Sequence, residues 1–310
     1  MKIFLGSNYQ NLSSEISSNL SIELGEIRID KFSDGEILPC FKESIRDEDV
    51  FFINSTDSSD SIIETLLVVD AAKRAGCKSF TLVSPYSGYS RQDKTDHLRS
   101  SIGSIMLADI FEKTGVTRLI TIDLHASSIQ GFYNIPVIHL NGNKVFINYI
   151  KSLGLDNICI VSPDQGAVKR ASDFCKVFPS ATFAMINKKR IKPNEIHSME
   201  LIGDVDGKNV IIVDDMADTL GTMKKAADLL VEKGAISIMG IATHGVLSGG
   251  ALVNLKESKI NKFLVSDSIN KPDQIDITNG KLEYVSCAKL ISDSISAISQ
   301  KRSIHEINHI

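Results

Sequence analysis

The chain has 310 residues, about 43% of them hydrophobic, with a formal net charge of -4, a length that favours two domains over one. The mildly acidic balance and the absence of long Lys/Arg clusters exclude an electrostatic case for nucleic-acid binding. Cys40, Cys77, Cys159, Cys175 and Cys287 are odd in number, scattered and without a Cys-x-x-Cys pair, which argues against a disulfide framework or a zinc site and for reduced, structural thiols.

The start, Met1 to Gly6, is too short for a signal-peptide core. No run approaches the ~18 to 20 apolar residues that span a bilayer, since even Ile62 to Val69 is broken by Glu64 and Thr65. A cytoplasmic protein with no membrane partner is expected. Lys2 to Leu5 reads as a first strand, and Phe32-Ser-Asp-Gly-Glu36 follows as either a turn with Asp-Gly at its corner or an aromatic and two acceptors able to meet a base. Strands are expected at Val50 to Ile53 and Phe80 to Val83, with a helix between them. Beyond them a loop rich in Gly, Ser and charge runs from Ser84 to about Arg99, where Arg91 and Arg99 suit bidentate phosphate contacts. The strand at Leu119 to Ile122 ends in Asp123-Leu-His-Ala-Ser, so that Asp123 and His125 could share a ligand, with a buried structural histidine as the alternative. Asn141-Gly-Asn143 reads as a linker.

In the second half, Ile158 to Val161 ends in Ser162-Pro-Asp-Gln-Gly166, making Asp164 a candidate metal or sugar carboxylate beside the plainer reading of a turn. Ala181 to Ile186 leads into Asn187-Lys-Lys-Arg190, three cations that are either a solvated face or side chains able to neutralise a transferring phosphoryl group, followed by a polar loop through Glu200. The most informative stretch is Asn209 to Thr222. Val210 to Val213 read as a core strand, and Met223, Ala226, Ala227 and Leu230 fall on one face of a helix that stops near Gly234. The loop between them lies at a helix N-terminus, where free N–H groups and the helix dipole favour a phosphate and Thr219 and Thr222 add hydroxyl donors. Asp214 and Asp215 are acceptors suited to vicinal sugar hydroxyls or to magnesium. A further strand is expected at Ile236 to Ile241.

Apolar runs rich in Val and Ile that alternate with helical patterns predict an α/β fold with mainly parallel sheets, with ligands beyond the strand carboxyl ends. The stretch from Asp49 to Phe80 parallels that from Asn209 to Ile238 at an offset of roughly 160 residues, about one domain. Only the second copy carries Asp-Asp and the Thr-rich loop; the first has Asn54, Ser55 and Thr56. Two similar domains are expected, 1–143 and 144–310, with the last helix placed to pack back on the first.

Taken together, Phe32 to Glu36, Tyr89 to Asp93, Asp123 to Phe132, Ser162 to Asp164, Lys188 to Arg190, Ile202 to Asp204, Asp214 to Thr222, Thr243-His244 and Ser248-Gly249 resemble the ribose-phosphate pyrophosphokinase family in order and over almost the whole chain. Type I phosphoribosyltransferases share the loop and its flanking fold, but not the duplicated first half. The resemblance implies two phosphoribosyltransferase type I-like domains and transfer of the β,γ-diphosphoryl group of Mg-ATP to ribose 5-phosphate, giving phosphoribosyl pyrophosphate (PRPP) and AMP. It implies Asp214 and Asp215 on the ribose hydroxyls and Asp218, Thr219, Gly221 and Thr222 on the 5-phosphate. Lys188 and Arg190 would neutralise the transition state, and His125 and Asp164 would organise Mg2+. Phe32, Asp34 and Glu36 match an adenine site supplied by a neighbouring subunit, with Arg91, Gln92, Asp96 and Arg99 on the ATP side. A homo-oligomer, typically a hexamer built from dimers, and inorganic phosphate and ADP as effectors are implied as well. Departures stand at Leu220, at Ser101 to Ile105, at Gln165 and Ala167, and in the ending Lys301 to Ile310. Leu220 and the altered segment after Arg99 motivate the alternative of a non-catalytic regulatory subunit.

Overall fold

The computed structural model describes residues 1–95, 97–192 and 195–308, with the backbone alone for 189–192 and 195–198. Residues 1–141 with 287–308 form one compact unit and residues 142–286 a second. The first holds β1 (Lys2–Leu5), α1 (Ser13–Leu20), β2 (Ile27–Lys31), β3 (Ile37–Phe41), β4 (Asp49–Ile53), α2 (Ser59–Arg74), β5 (Ser79–Ser84), α3 (Gly103–Thr114), β6 (Arg118–Ile122) and β7 (Val137–Leu140). The second holds α4 (Asn143–Ser152), β8 (Ile158–Ser162), α5 (Val168–Val177), β9 (Thr182–Lys192), β10 (Glu195–Ile202), β11 (Asn209–Ala217), α6 (Gly221–Glu232), β12 (Ser237–Gly245), α7 (Ala251–Glu257), β13 (Lys262–Ser266) and β14 (Leu282–Val285). α8 (Ala288–Ser299) and α9 (His305–Asn308) belong to the first unit again.

The expected α/β architecture is present in both units, and its duplication is visible in topology. The first sheet has the order β1-β4-β5-β6-β7, and the second contains β8-β11-β12-β13-β14 in the same sense, extended at its β8 edge by β9 and β10. Every neighbouring pair in these two five-strand runs is parallel. In each unit an antiparallel hairpin, β2–β3 or β9–β10, follows the first strand of that run. The central strands are continuous apolar runs because both of their faces are covered. In the second unit Val210 and Ile212 pack with Met223, Ala226, Ala227 and Leu230 of α6, while Ile211 and Val213 pack with Phe146 of α4 and Phe174 of α5. The predicted face of α6 is the one buried.

The reading of 191–200 as a polar loop is corrected: β10 pairs antiparallel with β9, Met199 opposite Lys188 and Leu201 opposite Ile186. Met199 and Leu201 rest against the core from an edge strand, and an edge strand covered on one side alternates with polar residues instead of showing a solid apolar run. β11 also runs further than expected, carrying Asp214 and Asp215 inside the strand. All five cysteines are free, and burial pushes the Cys77 and Cys159 thiols up and the Cys175 thiol up to about 11, so these three are poor nucleophiles. Among the described residues no helix is long and apolar enough to cross a membrane.

Candidate active site

The sheet order places β9, β8 and β11 side by side. Ser162 pairs with Met185 and Val161 with Ile212, so Lys188 and Asp214, three and two residues further on, pass the carboxyl end of β8 together with Asp164. Side chains alternate along a strand, and Lys188 continues the row of Ala184 and Ile186, as Asp214 continues that of Val210 and Ile212, on the face covered by α6. The Lys188 ammonium donates to Asp164 Oδ2 at 2.9 Å. Asp164 Oδ1 accepts the Ala167 N–H at 3.2 Å, and the Ser162 hydroxyl donates to the Asp164 carbonyl at 2.6 Å. Arg190 lies on β9 two residues beyond Lys188, outside the residues whose side chains are described.

Asp214 Oδ1 accepts the N–H of Asp215 at 2.9 Å. Burial, then the neighbouring carboxylates of Asp215 and Asp164, hold the Asp214 carboxyl well above the usual carboxylate range. Carboxylate oxygens are the donors that oxygen-seeking Mg2+ takes, so Asp164 and its neighbours fit such an ion when phosphate oxygens complete its coordination. Among the described residues no group of three or more His, Cys, Asp or Glu side chains is placed to hold a metal without such help.

Asp218, Thr219, Gly221 and Thr222 form the turn from β11 into α6, with Thr219 exposed and the others partly buried. Leu220 is the N-cap of α6, with φ 58° and ψ 5°, and its side chain makes no capping hydrogen bond. The N-cap thus leaves the N–H groups of the first turn open to a ligand or water. The corresponding helix in the first unit, α2, is closed by its own sequence: Ser58 accepts the Ser61 N–H at 3.1 Å and the Ser61 hydroxyl accepts the Ser58 N–H at 2.9 Å, a complete capping box. Ser55 and Thr56 are also occupied, accepting the N–H groups of Tyr86 and Gly88 at 2.8 Å each. The Leu220 side chain, only 6% exposed, points into the core and not into the turn.

In the first unit, Phe32 to Glu36 is the turn of the β2–β3 hairpin: Phe32 N–H donates to the Glu36 carbonyl at 2.8 Å and Asp34 accepts the Glu36 N–H at 3.1 Å. The turn reading of the motif is the one observed, and the turn leaves Phe32 53% exposed. Arg91 and Gln92 line a cavity of about 290 Å3 with Asp57, Ser58, Ser59, Tyr86 and Tyr89. The divergent segment after Arg99 has a local purpose. The Ser104 hydroxyl donates to the Gln92 carbonyl at 2.9 Å, and a Cβ on Gly103 would come within 2.8 Å of the Gln92 side chain and 2.9 Å of Tyr89. Arg99 is exposed with φ 66°, and Asp96 lies outside the described residues.

His125 is exposed, so it is not the buried structural histidine considered as its alternative. A structural role falls instead to His139, half-buried on β7, which the sequence does not single out. The Leu124 N–H donates to His139 Nε2 at 2.9 Å, and this fixes the backbone beside Asp123, a buried residue with φ 40°. Asn308 of α9 donates to the His139 carbonyl at 2.6 Å and accepts the Asn141 N–H at 3.0 Å, so the divergent ending ties down the end of β7. Asn254 was also missed; its amide donates to the Thr219 carbonyl at 2.9 Å. Neither residue lies in a motif, and only the folded backbone brings them to their loops.

A family model described as the N-terminal domain of ribose phosphate pyrophosphokinase matches residues 1–115, and one described as the phosphoribosyl synthetase-associated domain matches residues 175–308. The ribose-phosphate pyrophosphokinase of Porphyromonas gingivalis is 43% identical over 304 residues, 97% of this chain and 96% of that one. That of Helicobacter hepaticus is 41% identical over 308 residues, 99% of this chain and 98% of the other. The crystal structure of phosphoribosylpyrophosphate synthetase from Mycobacterium smegmatis superposes with a TM-score of 0.87 at 32% identity, covering 97% of this chain and 99% of that one. With these relatives matched over nearly their full length, the chain belongs to the ribose-phosphate pyrophosphokinase family of enzymes.

Proposed function

We propose that the chain transfers the β,γ-diphosphoryl group of ATP to the anomeric hydroxyl of ribose 5-phosphate, forming PRPP and AMP. The observation that carries this reading is the convergence of Asp164, Lys188 and Asp214 at the ends of the adjacent strands β8, β9 and β11, beside a helix N-terminus whose N-cap side chain makes no capping hydrogen bond. Asp214 and Asp215 accept hydrogen bonds from the ribose hydroxyls. Asp218, Thr219, Gly221 and Thr222 surround the 5-phosphate at the start of α6. The anomeric oxygen attacks the β-phosphorus, the bond from that phosphorus to the oxygen bridging to the α-phosphorus breaks, AMP leaves and the hydroxyl proton is released. Lys188 and Arg190 neutralise the charge that accumulates on the transferring group, where positioning and charge stabilisation do most of the work.

On the donor side, Phe32, Asp34 and Glu36 of a neighbouring copy receive adenine, while Arg91, Gln92, Asp96 and Arg99 hold the phosphates. Asp164 and His125 would be the residues that organise Mg2+, which would supply charge neutralisation when bound. The working form is then a homo-oligomer, a hexamer built from dimers, in the cytoplasm, with inorganic phosphate and ADP as effectors. Mass spectrometry of the purified chain with ribose 5-phosphate, Mg-ATP and phosphate tests the reading. AMP and PRPP in equal amounts are expected; neither product from folded protein would overturn it. Turnover by this chain alone would also dispose of the non-catalytic regulatory subunit, and PRPP consumption with a nucleobase would point to a phosphoribosyltransferase instead.

A further inference from the structure

One neighbouring segment orients every peptide of the turn between β11 and α6. The Leu247 N–H donates to the Ala217 carbonyl at 2.9 Å and the Ser248 N–H to the Asp218 carbonyl at 3.2 Å, while the Asn254 amide donates to the Thr219 carbonyl at 2.9 Å. The Ser248 hydroxyl also donates to the Asp218 carboxylate. This brace is itself anchored, because the Lys271 ammonium donates to the Val246 carbonyl at 2.9 Å and the Leu247 side chain is 5% exposed within the core.

A trans peptide is planar, with its C=O and N–H pointing in opposite directions. Turning three successive carbonyls toward 247–254 therefore turns the N–H groups of Asp218, Thr219 and Leu220 to the other side of the chain. There they continue into the first turn of α6, where the N-cap side chain makes no capping hydrogen bond. Consecutive N–H groups gathered on one side form an anion-binding nest, and a left-handed residue next to helical ones, as at Leu220, is the backbone pattern that builds it.

We infer that Ser248 and Asn254 are positioning residues of this turn, which set the direction of its N–H groups and thereby its affinity for the sugar phosphate. The inference rests on the proposed reading of the turn as the 5-phosphate site. Ser248 is exposed and Asn254 half-buried, so neither substitution opens the core.

The test compares wild type, Ser248→Ala, Ser248→Thr and Asn254→Asp by calorimetric titration with ribose 5-phosphate, without nucleotide or metal, alongside steady-state kinetics and melting temperature. Asn254→Asp sets an acceptor against the Thr219 carbonyl, and misplacement of a binding group on this scale is expected to weaken ribose 5-phosphate binding by about 10- to 100-fold. Ser248→Ala should show a smaller loss and Ser248→Thr, which keeps the donor, should restore wild-type binding. The KM for ATP should not move and kcat should stay within about threefold, the mark of lost uniform binding. Wild-type affinity in Asn254→Asp, or an equal loss in kcat and in both KM values, would overturn the inference while leaving the proposed function intact. Failure of the wild-type chain to bind ribose 5-phosphate would instead overturn the reading of the turn itself and the inference with it.

Discussion

Lys188 and Asp164 form an ion pair at 2.9 Å, with the lysine side chain 8% exposed and the aspartate 38% exposed. A group proposed to neutralise the transition state is thus held by a group proposed to organise the metal. Each satisfies the other, and the pair holds a largely buried ammonium in place. On the proposed reading Asp164 would be shared with Mg2+, and Lys188 would be left to meet the transferring group.

Lys188→Ala is therefore expected to lower kcat by about 10²- to 10³-fold, the range for removing one preorganised charge-stabilising group, with KM for ribose 5-phosphate nearly unchanged. Steady-state kinetics checks this. A loss below tenfold would leave Lys188 as no more than the structural partner of Asp164.

Asp215→Ala should act on the other parameter. Asp215 stands at the carboxyl-end half of β11, beside Asp214, where it accepts sugar hydroxyls in the proposed complex. A hydrogen bond to a charged group contributes about 1.5 to 3 kcal/mol, so KM for ribose 5-phosphate should rise roughly 10- to 100-fold with a smaller change in kcat. An unaltered KM would remove Asp215 from the sugar site.

Asp214 makes the stability of the ligand-free chain depend on pH. Its folded carboxyl lies above the usual range, through burial and then the charges of Asp215 and Asp164. The folded state therefore keeps a proton that the unfolded chain has released, so the contribution is fully present below about pH 4, the ordinary Asp value, and is lost as pH rises through the folded pKa. Asp214→Asn carries no such loss. Its melting temperature should exceed that of wild type at neutral pH, by the equivalent of about 0.5 to 2 kcal/mol, and the gap should close in acid. Ribose 5-phosphate binding should fall at the same time. A gap that does not vary with pH would mean the carboxyl is not perturbed.

What could be read from the sequence was what repeats or stays local. Most core strands declare themselves as solid Val and Ile runs because helices cover both faces, although β7, β13 and β14 were not read as strands, and α6 shows its buried face at Met223, Ala226, Ala227 and Leu230. The turn after β11 was readable because its hydroxyls, carboxylates and glycine are contiguous. The β9–β10 hairpin was half missed because an edge strand has one covered side, and its polar alternation resembles a loop. The brace at Ser248 and Asn254, and the histidine at 139, depend on hydrogen bonds between backbone segments 9 to 35 residues apart, which no local pattern records. Leu220 was conspicuous, but its direction was not: whether a bulky side chain enters the turn or the core is decided by one backbone dihedral.

Phe32 offers a test on the donor side. It is 53% exposed on a hairpin turn, so Phe32→Ala should change stability by no more than about 0.5 kcal/mol. Stacking of a base on an aromatic ring contributes about 1 to 3 kcal/mol, and the KM for ATP should rise correspondingly, with that for ribose 5-phosphate unmoved. Equal KM values for ATP in both proteins would place adenine elsewhere.

Leu220 sets two effects of opposite sign against each other. At φ 58° a non-glycine residue costs about 1 to 2 kcal/mol, which Leu220→Gly would relieve. The same change removes a side chain 6% exposed, packed with the α6 and α7 core, and truncating a buried leucine costs about 2 to 5 kcal/mol. Burial outweighs the strain, so Leu220→Gly is expected to destabilise the chain in urea unfolding by up to about 4 kcal/mol, the difference of these two ranges running from about 0 to 4. Because the side chain points into the core, affinity for ribose 5-phosphate should stay close to that of wild type. A glycine variant that binds the sugar phosphate more than tenfold tighter would show instead that the leucine restricts the turn, and that its burial in the core comes at the expense of the site.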